Sequence, residues 1–223
     1  MDSAIIKPSD ITAIVLAGGR GSRMGGVDKG LQLFNGTPLA LQAVQRVALQ
    51  VGTVIVNANR NLNTYQTFGC NVYPDDDSEF AGPLSGFAVG LANCKTPYFL
   101  TVPCDSPRFP MDLAHRLASH MEQGLQQGDF DIVMAAQGGW TQPVFCLLKR
   151  ELLPSLQSFM QSGHRKIDAW TARHKTVIVN FDEPADDPLA FANANTLEEL
   201  NALESHPREG GDPPHFGFPP SRE

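Results

Sequence analysis

The stretch Ile11-Thr-Ala-Ile-Val-Leu-Ala-Gly-Gly-Arg-Gly-Ser-Arg-Met-Gly-Gly-Val-Asp-Lys29 decides how the rest of the chain is read. Its first seven residues are β-branched or apolar almost throughout and stop at Gly18-Gly19, the pattern of a strand buried on both faces and ended by a loop. Such a strand belongs to a parallel sheet covered by helices. The loop carries five glycines together with Arg20, Arg23 and Lys29. Glycines let backbone N–H groups close around phosphate oxygens, and the cations offset the charge of a triphosphate. The spacing fits neither common phosphate motif: the dinucleotide fingerprint needs glycine where Met24 stands, and no Gly-Lys-Ser/Thr exists. A glycine-rich surface turn with solvated arginines is the alternative, and this density of glycine and cation weighs against it.

Outward from this stretch, strand and helix alternate. Thr37-Pro38 reads as an N-cap with proline at the first helical position, ahead of Leu41, Val44, Val47, Ala48 and Val51 at helical spacing. Residues 53–56 read as a strand, 62–68 as a short helix and 71–73 as a third strand. A helix opens at Gly82-Pro83, and the strand Tyr98-Phe-Leu-Thr-Val102 ends in Pro103-Cys104-Asp105. The second half predicts a helix over 112–123, strands over 132–136 and 144–148, helical stretches over 152–160 and 167–173, and a strand over 177–179. Thr196-Leu-Glu-Glu199 has capping-box spacing and starts a last helix to about residue 203. This order indicates an α/β layered fold with a mainly parallel sheet. Residues 1–204 form one expected domain, and 205–223, rich in proline and glycine without apolar periodicity, an expected disordered tail.

A net charge of −7 argues against broad nucleic-acid or anionic-membrane binding, which needs a basic surface, so any phosphate site must be a local cluster of cations. Cys70, Cys94, Cys104 and Cys146 are scattered without a C-x-x-C pair or nearby histidines at ligand spacing, which indicates neither a zinc site nor a disulfide framework. Residues 1–10 lack a signal peptide's long apolar region, and the run 11–17 is too short to span a bilayer. A cytoplasmic placement is the expectation.

Asp105 stands at the carboxyl end of a buried strand, the edge where ligands bind in open α/β sheets. Magnesium takes one or two protein carboxylates and completes its shell with water and substrate phosphates, so one strand-end aspartate can suffice. A turn aspartate or a helix N-cap is the alternative. Asp75-Asp76-Asp77 is either a solvated acidic loop or, following a third strand of the same sheet, a neighbour of the glycine loop. Asn193 and Asn195 can serve as ligands or merely as loop formers, and the six histidines show no ligand pattern.

The chain resembles the molybdenum cofactor guanylyltransferases, within the wider Rossmann-like nucleotidyltransferases. The likeness runs over residues 11–203 and rests on Leu16 through Lys29, Val54-Ile-Val-Asn-Ala-Asn59, Gly82-Pro-Leu-Ser-Gly86, Thr101-Val-Pro-Cys-Asp-Ser-Pro107, Gln142-Pro-Val-Phe145 and Asn193-Ala-Asn-Thr196. It implies a three-layer α/β/α Rossmann-like nucleotidyltransferase fold. It also implies that Leu16, Ala17, Gly18, Lys29, Asn57, Asp75 and Asp105 contact GTP, with Asp105 holding Mg²⁺. Gly82, Asn193 and Asn195 would lie on the molybdopterin side, with Arg165-Lys166 a weaker candidate for the pterin's phosphate.

The implied reaction is attack by the molybdopterin phosphate on the α-phosphorus of GTP, releasing pyrophosphate. A phosphate monoester, with a second pKa of about 6, is already mostly ionised at neutral pH and needs no strong general base. Catalysis would then rest on alignment and on charge neutralisation by Lys29, Arg23 and the Mg²⁺ that Asp105 holds. The implied partners are the two small-molecule substrates, with no nucleic acid and no membrane; transient contact with molybdoenzymes or other cofactor-synthesis proteins is compatible. Two rivals remain. One is a cytidylyltransferase of the same fold, acting on molybdopterin or a sugar-alcohol phosphate. Relatives of that kind typically carry Leu-Ala-Ala-Gly where Leu16-Ala17-Gly18-Gly19 stands here, and loss of a methyl leaves room for a larger purine. The other is a non-catalytic cofactor carrier, which would not need a site for metal and triphosphate.

Overall fold

The computed structural model describes residues 6–19, 28–75 and 82–205. In chain order these form β1 (Ile11–Leu16), β2 (Leu33–Phe34), β3 (Thr37–Pro38), α1 (Leu39–Ala48), β4 (Thr53–Asn57), α2 (Leu62–Gln66), β5 (Asn71–Tyr73) and α3 (Pro83–Asn93). They continue with β6 (Tyr98–Pro103), α4 (Leu113–Gln127), β7 (Ile132–Gln137), β8 (Trp140–Lys149), α5 (Leu153–Gln161), α6 (Ile167–Thr171), β9 (Thr176–Asn180) and α7 (Leu197–Ser205).

Seven strands form one sheet in the order β5-β4-β1-β6-β8-β7-β9. β1 pairs in parallel with β4 and β6, β4 with β5, and β7 with β9; only β8 runs antiparallel to its neighbours. Side chains alternate across this sheet. Ile11, Ala13 and Val15 of β1 face the core built with α1 and α4, whereas Ile14 faces the core built with α3, α5 and α6. Leu100 and Phe99 of β6 divide in the same way, as do Val133 and Ile132 of β7. Two cores separated by one sheet are the three-layer α/β/α arrangement. Trp170, Phe87 and Phe159 are almost fully buried on the second side, and each such side chain contributes about 1.5–3 kcal/mol.

Three local readings are corrected. Thr37-Pro38 does not begin a helix; it forms β3, paired with β2. Asn35 and Gly36 adopt φ of 47° and 75°, the left-handed pair that an Asn-Gly hairpin turn requires, and Pro38 becomes the N-cap of α1. The strand expected over 144–148 extends back to Trp140, because Gly138 and Gly139 supply a second positive-φ turn that folds β8 against β7. The helix expected over 167–173 ends at Thr171. The capping box at α7 is present: the Glu199 N–H donates to Thr196 Oγ1 at 3.1 Å, and the Thr196 N–H donates to Glu199 Oε2 at 3.1 Å. The expected tail beyond residue 205 lies outside the described residues. Among the described residues no helix is long and apolar enough to cross a membrane.

A third, smaller core joins the ends of the chain. Phe34 and Leu39 pack with Ala194, Leu200 and Leu203, so the segment leading into α7 is held against the β2–β3 hairpin. Because β1, β4, β5, β6 and β7 run the same way, their carboxyl ends share one edge, and this segment returns to it.

Candidate active site

At that edge the end of β1 is stitched to both neighbours. The Cys104 N–H donates to the Leu16 carbonyl at 3.1 Å and the Ala17 N–H donates to the Asn57 carbonyl at 2.8 Å. The Leu16 carbonyl and the Ala17 amide are thus engaged in the sheet. Asn57, the last residue of β4, is buried, and its Nδ2 donates to the Tyr73 carbonyl at 3.2 Å and to Asp75 Oδ1 at 2.9 Å. Asn59 Nδ2 donates to Asp75 Oδ2 at 2.7 Å and to the Gly18 carbonyl at 3.0 Å, while the Asp75 N–H donates to Asn59 Oδ1 at 2.7 Å. The space beside Gly18 is therefore filled: a Cβ there would lie 2.7 Å from Asn57 Oδ1 and 2.9 Å from Asn59 Nδ2. Leu16, Ala17, Gly18, Asn57 and Asp75 thus lie together at this edge.

The second cluster centres on Lys29, which opens a 3-10 turn. Asp28 sets that turn. Its carboxylate accepts from the Gly30 N–H at 3.2 Å, Asn61 Nδ2 at 2.9 Å and the Tyr65 hydroxyl at 2.6 Å. Burial, aided by the hydrogen bond to Asp28, pushes the Tyr65 phenol well up, so it remains a protonated donor. Lys29 Nζ donates to the Asp105 carboxylate and, at 2.9 Å, to Asn195 Oδ1. Asp105 follows β6, and its backbone carbonyl accepts from the Ala194 N–H at 2.8 Å. Ser106 Oγ donates to Asn193 Oδ1 at 2.6 Å. Lys29, Asp105 and Asn195, up to 166 residues apart in sequence, thus meet in one hydrogen-bonded group, and Asn193 is held next to it by Ser106. Cys104, buried beside it, has its thiol pushed well up by burial and by the Asp105 charge, which keeps this side chain protonated.

Other expected residues stand apart from these contacts. Gly82 is the N-cap of α3 with φ of 137°, a backbone conformation that only glycine adopts without strain. Arg165 donates to the carbonyls of Met160 at 2.7 Å and His164 at 2.8 Å, which binds its guanidinium to the end of α5. Arg23, expected to be catalytic, lies outside the described residues, as do Asp76 and Asp77. Among the described residues no three His, Cys, Asp or Glu side chains cluster as a resident metal site. A lone strand-end carboxylate fits instead a magnesium ion that arrives with a nucleotide and keeps phosphate and water in its shell.

Sequence reasoning missed the residues that hold the segment carrying Asn193 and Asn195. Arg108, only 3% exposed, pairs with Asp187 at 2.7 Å, and Arg116 pairs with Asp186 at 2.7 Å while its guanidinium lies 3.8 Å from the centre of the Phe181 ring. Both carboxylates precede Asn193 in the same segment. An arginine set directly before Phe109-Pro110 was the available signal. For Asp28 it was the Asp-x-Gly pattern of an Asx turn.

Comparison with known proteins identifies the family and the fold. The family model described as the MobA-like NTP transferase domain matches residues 13–177. The molybdenum cofactor guanylyltransferase of Bordetella petrii is 59% identical over 203 residues, covering 89% of this chain and 100% of that protein. The molybdenum cofactor guanylyltransferase of Albidiferax ferrireducens is 55% identical over 212 residues, with 91% and 100% covered. Among solved structures, molybdopterin-guanine dinucleotide biosynthesis protein A of Archaeoglobus fulgidus superimposes with a TM-score of 0.67 at 17% identity, covering 86% of this chain and 96% of that one. At that identity the superposition speaks for the fold.

Proposed function

The chain belongs to the MobA-like NTP transferase family, and on that premise we propose that it transfers the guanylyl group of GTP to the phosphate of molybdopterin, releasing pyrophosphate. The observation that carries the reading is the contact of Lys29 with both Asp105 and Asn195. One ammonium group joins a strand-end carboxylate suited to a metal–triphosphate to an amide suited to the edge of a pterin ring.

In this reading the nucleotide lies over the end of β1, against Leu16, Ala17 and Gly18. With the Leu16 carbonyl and Ala17 amide engaged in the sheet, it meets this stretch through the groups beyond Ala17. Asn57 and Asp75 face its base, and Lys29 its phosphates. Mg²⁺, held by Asp105 and the phosphates, would supply positive charge to the departing pyrophosphate. An oxygen of the acceptor phosphate forms a new bond to the α-phosphorus. The bond from that phosphorus to the bridging oxygen breaks, and its electron pair leaves with pyrophosphate. Lys29 and Arg23 offset the charge that builds on the leaving group, and Asn193 and Asn195, with Gly82 at the border, hold the pterin. No side chain need take a proton, since the attacking phosphate is already ionised. Cytoplasmic placement suits free thiols at Cys70, Cys94, Cys104 and Cys146.

The test is incubation of the purified protein with molybdopterin, Mg²⁺ and each nucleoside triphosphate in turn, reading pyrophosphate release. GTP alone should give rapid release. Equal turnover of CTP would overturn the guanylyl assignment, and binding without release would favour a carrier.

A further inference from the structure

Asn59 is exposed, yet its carboxamide is fully engaged: it bridges the loop after β1, through the Gly18 carbonyl, and the loop after β5, through both the carboxylate and the amide of Asp75. An exposed asparagine normally samples several rotamers, and fixing one with three hydrogen bonds between two loops needs a reason beyond stability. The consequence lies in what it leaves at Asp75. An ionised carboxylate offers about four lone-pair directions. Among the described residues Asn57 takes one on Oδ1 and Asn59 one on Oδ2, so each oxygen keeps a direction for a ligand and the carboxylate plane is fixed. Two parallel acceptors match the two adjacent donors of guanine, its ring N–H and its exocyclic amine. Adenine and cytosine do not present that donor pair, and hypoxanthine keeps only the ring N–H.

We propose that Asn59 is a positioning residue for base selection: its carboxamide latches Asp75 to Gly18, and so aligns the carboxylate that reads guanine. The proposal rests on the reading of the Asp75 region as the nucleotide side. Gly18 leaves room for this arrangement, since a Cβ there would lie 2.7 Å from Asn57 Oδ1 and 2.9 Å from Asn59 Nδ2 and would press on both carboxamides that hold Asp75.

The test is calorimetric binding of GTP and ITP, each with Mg²⁺ and without acceptor, since ITP lacks only the 2-amino group. A hydrogen bond to a charged acceptor implies that the unaltered protein prefers GTP about ten- to a hundredfold. Asn59→Ala should weaken GTP about tenfold and ITP less than about threefold, leaving the melting temperature nearly unchanged because the side chain is exposed. In the double variant Asn59→Ala/Asp75→Ala the preference should equal that of Asp75→Ala alone, as expected when one residue acts through the other. If Asn59→Ala weakens both nucleotides equally, or adds its effect to that of Asp75→Ala, the latch is overturned while the nucleotide site stands. Absence of a GTP preference in the unaltered protein would instead overturn the placement of the guanine site itself.

Discussion

The two halves of the proposed catalytic edge are built by different means. On the proposed nucleotide side, Leu16 and Asn57 end paired strands, and Asp75 follows β5 by two residues, so backbone ladders fix their positions and short carboxamide bonds complete them. On the proposed acceptor side, Asn193 and Asn195 sit on an irregular segment after β9. That segment is held by the Arg108–Asp187 and Arg116–Asp186 pairs, by packing of Ala194 on Phe34 and Leu39, and by Glu199 reaching back to the Asn195 N–H at 2.6 Å. A sheet edge presents one geometry to every nucleotide, whereas a loop pinned by side chains can be reshaped without disturbing the core. The difference suggests that substitutions should separate the halves cleanly everywhere except at Lys29 and Asp105, where they touch.

The largest effect is therefore expected at the junction. Asp105→Asn should lower turnover about 10³-fold, the scale of losing one preorganised electrostatic contact, with the melting temperature little changed because no core side chain is removed. Pyrophosphate release at limiting Mg²⁺ is the readout; near-normal rates would show that the metal and Lys29 are anchored elsewhere.

A smaller effect, confined to one half, is expected from Arg108→Met. It leaves Asp187 without its buried partner, and with the Asp187 side chain 22% exposed the destabilisation should be about 2–3 kcal/mol, below that of a fully buried pair. For a domain of this size that is a fall in melting temperature of roughly 4–12 °C. The acceptor KM should rise while the GTP dissociation constant holds. Equal weakening of both would mean that the halves are not independent.

The smallest effects sharpen the contrast. Asn193→Ala and Asn195→Ala should each weaken molybdopterin binding by roughly two- to tenfold, the range for a hydrogen bond to a neutral partner, with GTP affinity unchanged. Lower thermal stability with unaltered acceptor affinity would reduce both residues to loop formers, and Arg165-Lys166 would become the next place to look.

The same contrast explains what was legible in the sequence. β1, β4 and β6 announced themselves by apolar runs, and because parallel strands share one carboxyl edge, Asp105 and, as one of two alternatives, Asp75 could be assigned to the edge of the glycine loop, while Asn57 was named only through the family resemblance. The acceptor side has no such period. Arg108 and Asp187 are 79 residues apart, and nothing local to either marks the other. Likewise, Thr37-Pro38 carries valid helix-start chemistry, but the Asn35-Gly36 turn before it draws both residues into a hairpin, and a motif of two residues cannot reveal which neighbour prevails. The reversed direction of β8 is written only in Gly138-Gly139, whose two positive φ angles make the turn and to which the sequence reading gave no role.

That reversal has a consequence for how the chain comes to be a single object. β6 lies in the middle of the finished sheet, between β1 and β8, yet β8 follows it only after α4 and β7. As the polypeptide leaves the ribosome, the nucleotide half can assemble with β6 as an open border, its amides and carbonyls unpaired along an apolar strand. The β7–β8 hairpin, whose contacts are local and quick to form, arrives later and docks as a ready-made cover. A chain interrupted between β6 and β7 would keep that border open, a template for another strand of the same kind.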